Sequence, residues 1–166
     1  MSDFKITDTV VGSQPIDETS TTQNHPLGTI VRATDTASTA YGSGEFIYLA
    51  GVASTVVGSF VTYNEDNHSS TLLVANAVGG VALAMSINVA SSYGWYQISG
   101  KAVGKVLASF ADNAAVYGTA TAGSADDAVV AGDRVHRCIS ASAIDTPSTG
   151  LAELEIQRPS VDNIAD

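Results

Sequence analysis

The chain has 166 residues, enough for one domain whose core needs no disulfide or metal ion. It carries 17 acidic and 7 basic residues, a net charge of −10, so we expect neither nucleic acid nor a membrane as its partner. The 45% hydrophobic content excludes general disorder. Val, Ile and Thr total 44 residues, against 26 for Leu, Met, Glu, Gln, Lys and Arg, and this excess favours strands.

Residues 1–26 have the composition of an extended N-terminal arm. The segment is rich in Ser and Thr, and its few apolar residues bury too little surface to offset the entropy of ordering. We expect it to order by adding a strand to a neighbouring subunit, or else to stay a flexible tail. On this interpretation, removal of residues 2–24 should leave the melting temperature nearly unchanged. The residues predicted to anchor the arm are Phe4, Ile6, Val10, Val11 and Ile16.

From Leu27 onward the pattern is that of short strands separated by turns. Residues 101–110 are ambiguous, because Val103, Val106 and Leu107 have helical spacing while Gly100 and Gly104 disfavour a helix. Strands at intervals of about 8–12 residues predict an all-β domain over residues 27–158, a small barrel or sandwich, followed by a C-terminal tail at 159–166. The predicted strands are 27–34, 45–52, 59–63, 71–78, 81–89, 95–99, 114–121, 129–140 and 151–158.

The sequence contains no recognisable catalytic or cofactor motif. Cys138 is the only cysteine, which fits a small buried hydrophobic residue, and the three histidines are widely separated. Asp126, Asp127 and Asp133 could ligate a hard cation, but they lack the spaced loop pattern of such sites. We therefore expect no enzyme activity, no metal and no cofactor.

One aromatic cluster, Tyr93, Trp95 and Tyr96, is a candidate interface. Consecutive strand residues point to opposite faces, so one of Trp95 and Tyr96 is expected in the core and the other at the surface. An exposed ring there could contact a protein partner or stack on a sugar.

Long uncharged tracts predict self-association. Residues 36–44 and 52–63 contain no charged side chain and could leave apolar patches that a monomer rarely exposes. A closed symmetric oligomer is the usual way to bury such patches, and we expect a trimer or, second, a dimer.

Three short segments, residues 78–85, 94–102 and 131–135, resemble in this order the sequences of a known family. They read VGGVALAM, GWYQISGKA and AGDRV, and they resemble the capsid decoration, or cement, proteins of tailed bacteriophages. The resemblance implies a non-catalytic virion protein on the outer capsid surface. It would be made in the bacterial host cytoplasm and would have the major capsid protein as partner. The alternative is a glycan- or receptor-binding β-module of a tail or head fibre.

Overall fold

The computed structural model describes residues 2–8 and 12–165, and the candidate anchors Val10 and Val11 lie outside these ranges. The described residues form only β-strands and turns, which confirms the predicted all-β fold. The twelve strands are β1 (Phe4–Ile6), β2 (Thr19–Ser20), β3 (Ile30–Asp35), β4 (Ser43–Ala50), β5 (Phe60–Tyr63), β6 (Ser70–Leu72), β7 (Gly79–Ala84), β8 (Tyr93–Lys105), β9 (Ala115–Gly118), β10 (Ala125–Asp126), β11 (Arg134–Ser140) and β12 (Leu151–Val161).

The strands form one antiparallel, strongly bent sheet that does not close into a barrel. Its main path runs β1-β3-β4-β8-β7-β12-β11-β9-β10, while β2 joins β8 and the β5–β6 hairpin joins β7. The 13-residue strand β8 lies at the centre: its first half pairs with β4 and its second half with β12. The sheet thereby folds over itself into sandwich-like layers.

Residues 101–105 continue strand β8, so the helical spacing noted in the sequence does not produce a helix. Alternate residues Ala102, Gly104 and Val106 are buried, which is the period of a strand. The small residues are needed there, because a Cβ at Gly104 would lie 2.5 Å from the Leu154 side chain and 2.7 Å from Phe60. Close packing against β12 and β5 therefore accounts for the small residues of this strand.

The core consists of three clusters, two of which lie on opposite faces of the central strands. Phe46 and Tyr48 of β4 join Trp95 in one cluster, while Ile47 and Leu49 join Tyr96 and Ile98 in the second. The third cluster lies between β5, β7, β8, β11 and β12 and contains Ala152, Leu154 and Ile156, which alternate along the predicted strand 151–158.

Several predicted strands and the predicted tail have different bounds in the structure: 95–99 lies within the longer β8, 114–121 shortens to β9, and 129–140 shortens to β11. The stretches 71–78 and 81–89 are shortened to β6 and β7, and Val78, Ile87 and Val89 are exposed rather than buried. Conversely, β12 extends to Val161, because Ser160 and Val161 pair with the two glycines that begin β7. The first residues of the predicted C-terminal tail thus belong to the sheet.

Candidate functional site

The N-terminal segment packs on its own β-domain, which differs from the expectation that it orders on a neighbour. Strand β1 pairs with β3, and the Phe4 ring meets Phe46 edge-on at a centroid distance of 4.9 Å. Ile16 is buried in the same cluster as Phe46 and Trp95, and Ile6 is half-buried against it. The large aromatic face of β4 and β8 supplies most of the buried surface, so a few apolar residues suffice to order the segment.

Gln14 is the polar centre of this packing. Its side-chain Oε1 accepts hydrogen bonds from the Tyr48 hydroxyl at 2.8 Å and from Asn24 Nδ2 at 2.9 Å. Its Nε2 donates to the carbonyls of Glu18 and Tyr93. Its backbone carbonyl accepts the Trp95 indole N–H at 2.9 Å. One side chain therefore connects the segment to β4 and β8 while satisfying buried polar groups.

His25 completes the network as a neutral side chain. Its Nε2 accepts the backbone N–H of Gln14 at 3.0 Å, and its ring lies against Tyr48 and Trp95. Burial lowers the pKa of His25, since the groups against the ring are aromatic or amide and none is acidic. Protonation would remove the acceptor and place a charge in an apolar pocket.

We expect stability to fall in acid because of His25. Above its ordinary pKa of 6.5 the group is neutral in both the folded and the unfolded chain, and stability is complete. As the pH falls below that value, the unfolded chain binds a proton first, so stability decreases until the lower pKa of the folded state is passed. Thermal melts between pH 8 and pH 5 should show a steeper loss for wild type than for His25→Gln. His136→Gln, at a half-buried position of β11, is the control, and equal slopes for all three proteins would contradict the prediction.

The structure buries the aromatic cluster rather than presenting it to a partner. Trp95 and Tyr96 are both 0% exposed, because both faces of β8 are covered, and Tyr93 is half-buried. The expectation of one surface ring at Trp95 or Tyr96 is therefore wrong. Neither ring can contact a protein or a sugar in this conformation.

The three candidate metal ligands do not converge. Asp133 is buried and accepts the backbone N–H of Asn76, Asp127 accepts that of Ala111, and Asp126 accepts that of Asp127. Residues 2–8 and 12–165 contain no group of three or more His, Cys, Asp or Glu side chains placed to hold an ion. The thiol of Cys138 lies in the core, where burial raises its pKa to about 12.

Five exposed aliphatic side chains are grouped at one end of the domain, which we call the apolar end. It comprises the residues that flank the start of β7, the start of β11 and the end of β12. Val78 and Val129 are 68% and 80% exposed. The five members are Val74, Val78, Val129, Val130 and Ile164.

Direct contacts between their loops hold these residues at the same end. Gly79 pairs with Val161, which brings the Val78 loop beside the C-terminal segment. The Asn76 backbone N–H donates to Asp133, whose own N–H donates to the Val130 carbonyl at 3.1 Å. Exposed apolar side chains that are grouped in this way are a feature of protein interfaces. The apolar end is therefore the candidate functional site.

Comparisons with known proteins returned no match: no family model, no curated protein and no solved structure is similar to the chain. Within the described part of the chain, no helix is long and apolar enough to span a membrane.

Proposed function

We propose that this protein is a structural component of a tailed-bacteriophage virion that binds the outside of the capsid and stabilises the assembled shell. The apolar end carries the proposal, since it groups exposed aliphatic side chains on the surface of a chain whose net charge is −10. The proposed partner is the major capsid protein, as implied by the resemblance of residues 78–85, 94–102 and 131–135 to capsid decoration proteins. Ligands that bind only the assembled state stabilise it by mass action, without catalysis or a cofactor.

The proposal includes self-association as a trimer, with a dimer as the second possibility. The net charge of −10 keeps free copies soluble, and several copies around one axis would direct several apolar ends at the shell. Tail or head-fibre glycan binding is less well supported, because the rings proposed to stack on sugar are buried.

Val78→Asp should weaken binding to the shell at least about tenfold, because an unpaired carboxylate would be transferred into an apolar contact. Binding is measured as the fraction of sites filled when purified protein is titrated onto shells of the phage that encodes the chain, stripped of the protein. Val78 is exposed, so the melting temperature should not change.

Ile87→Asp is the matched control. Val78 precedes β7 and Ile87 follows it, so the two lie at opposite ends of the same strand with similar exposure, 68% and 60%. Ile87→Asp should bind like wild type. Unchanged binding by Val78→Asp, or equal loss in both variants, would refute the assignment of the apolar end.

A further inference from the structure

A groove of about 610 Å³ crosses the outer face of β8, β12 and β11, and basic side chains line it. Lys101, Arg134 and Arg137 are three of the seven basic residues of the whole chain, and Glu155 is the acidic residue of the lining. Because Glu153 pairs with Lys101, the two arginines and Glu155 leave the groove with a formal charge of +1 on a chain whose net charge is −10.

The groove exists because β9 and β11 separate. They pair at Arg134↔Tyr117 and again at Ile139↔Ala115, so four residues of β11 face a single residue of β9. Arg137 lies in this bulge with a φ of 58°, where the register with β12 also shifts. Such bulges redirect side chains out of the regular alternation, and here the redirected residue is an arginine.

Two of the three cations in the groove have no acidic partner. The Nζ atom of Lys101 forms an ion pair with Oε2 of Glu153 at 2.7 Å and lies 5.5 Å from the centre of the Tyr41 ring. Arg134 and Arg137 are exposed, and neither forms an ion pair with any residue in ranges 2–8 and 12–165. Both guanidinium groups are thus available to a carboxylate from another molecule.

A matching acidic surface is present in the turn of the β5–β6 hairpin. The side chain of Asn64 accepts the Asp66 N–H at 2.7 Å, and that of Asn67 accepts the Ser69 N–H at 3.0 Å. These bonds fix the turn, and Glu65 and Asp66 are exposed on it without an ion pair among the described residues. The turn presents two adjacent carboxylates in a preorganised conformation, which lowers the entropic cost of binding.

We propose that the Glu65–Asp66 turn of one copy inserts into the basic groove of a second copy and pairs with Arg134 and Arg137. Strands β7 and β12 lie between β5 and β11, so a turn fixed in the sheet cannot enter the groove of its own chain. The contact joins two different surfaces, and repeated contacts of this type form the closed ring of the proposed oligomer when the rotation between copies closes, and an open filament when it does not. The inference rests on the proposed self-association and is independent of what the oligomer coats.

Charge reversal tests this contact by sedimentation of the full-length protein at low ionic strength. Arg134→Glu with Arg137→Glu, and separately Glu65→Arg with Asp66→Arg, should each weaken self-association at least about tenfold, because like charges would then face each other. The chain that carries all four substitutions should associate again, since the charges are complementary in the opposite sense. Asp17→Arg with Glu18→Arg changes another exposed acidic pair and should have no effect.

The possible outcomes distinguish the contact of the Glu65–Asp66 turn with the groove from the proposed self-association. A wild-type protein that sediments as a monomer at all concentrations would overturn both the contact and self-association. An oligomer that tolerates either reversal, or that the Asp17 and Glu18 control also dissociates, would overturn the contact alone. Should a reversal variant lose its folded circular dichroism spectrum, Arg134→Gln with Arg137→Gln provides the same test without an added negative charge. Shell binding is scored separately with Val78→Asp.

Discussion

Deletion of residues 2–24 should lower the melting temperature by about 10 °C or more. The deletion removes Phe4 and Ile16 from the core and uncovers the fully buried side chains of Phe46, Tyr48 and Trp95. Burial of each large apolar side chain contributes about 1.5–3 kcal/mol, so Phe4 and Ile16 alone account for about 4 kcal/mol. In a domain of this size each 1 kcal/mol shifts the melting temperature by about 2–4 °C.

Point variants distinguish lost packing from a nonspecific effect of truncation. Ile16→Ala should cost about 2–5 kcal/mol in the free energy of unfolding, as for other fully buried aliphatic residues. Asp17→Ala, at the exposed neighbouring position, should be neutral within about 0.5 kcal/mol. A truncated protein that melts like the full chain would show instead that the segment is dispensable for folding, as the composition alone suggested.

The strands of this protein could be located from the alternation of apolar and polar residues wherever one face of the strand is buried and the other is exposed to solvent. The alternation of Ala152, Leu154 and Ile156 with charged residues identified β12, because a one-residue change of register would expose the whole apolar set. This alternation did not identify residues 101–105 as a strand, because alanine and glycine occupy the positions that face the core. Small residues there are explained only by the close approach of Leu154, on the paired strand β12, and of Phe60, on β5.

The packing of the N-terminal segment on its own β-domain could not be predicted from its composition. The prediction compared the low apolar content of the N-terminal segment with the entropy that the segment loses when it orders. It could not include the surface on which the segment packs, because the sequence does not show that surface. Phe46, Tyr48 and Trp95 form one large aromatic face after β4 and β8 pair. Nothing in the sequence distinguishes Gln14 from the three other glutamines, although its hydrogen bonds reach residue 95, which is 81 positions away.

The apolar end and the basic groove were also missed, because each consists of residues that are distant in sequence. Val78 and Ile164 come to the same end through the pairing of Gly79 with Val161. Lys101 and Arg137 line one groove through the pairing of β12 with both β8 and β11. The uncharged tracts 36–44 and 52–63 predicted apolar contact surfaces, and neither the apolar end nor the basic groove contains a residue of these tracts, because the position of a surface depends on strand order.

Gln14→Met should destabilise the protein by about 3 kcal/mol. Methionine has a similar volume, so the substitution removes hydrogen bonds while it leaves little cavity. It leaves the buried Tyr48 hydroxyl and the partly buried Tyr93 carbonyl without their partner, and each such loss costs about 1–3 kcal/mol. Denaturant unfolding should show a lower midpoint with an unchanged m-value, while Gln157→Ala, at an exposed position, should match wild type.

A double-mutant cycle with Tyr48→Phe locates the effect in the Gln14 network. The Tyr48 hydroxyl donates to Gln14 at 2.8 Å, so its removal should be costly in wild type, where Gln14 Oε1 loses a partner. In the Gln14→Met background the hydroxyl has no such acceptor, and its removal should cost nothing or increase stability. The expected coupling energy is about 1 kcal/mol or more, within the range for residues in direct contact. Additive effects of the two substitutions would mean that the Gln14–Tyr48 bond does not hold the N-terminal segment on the β-domain.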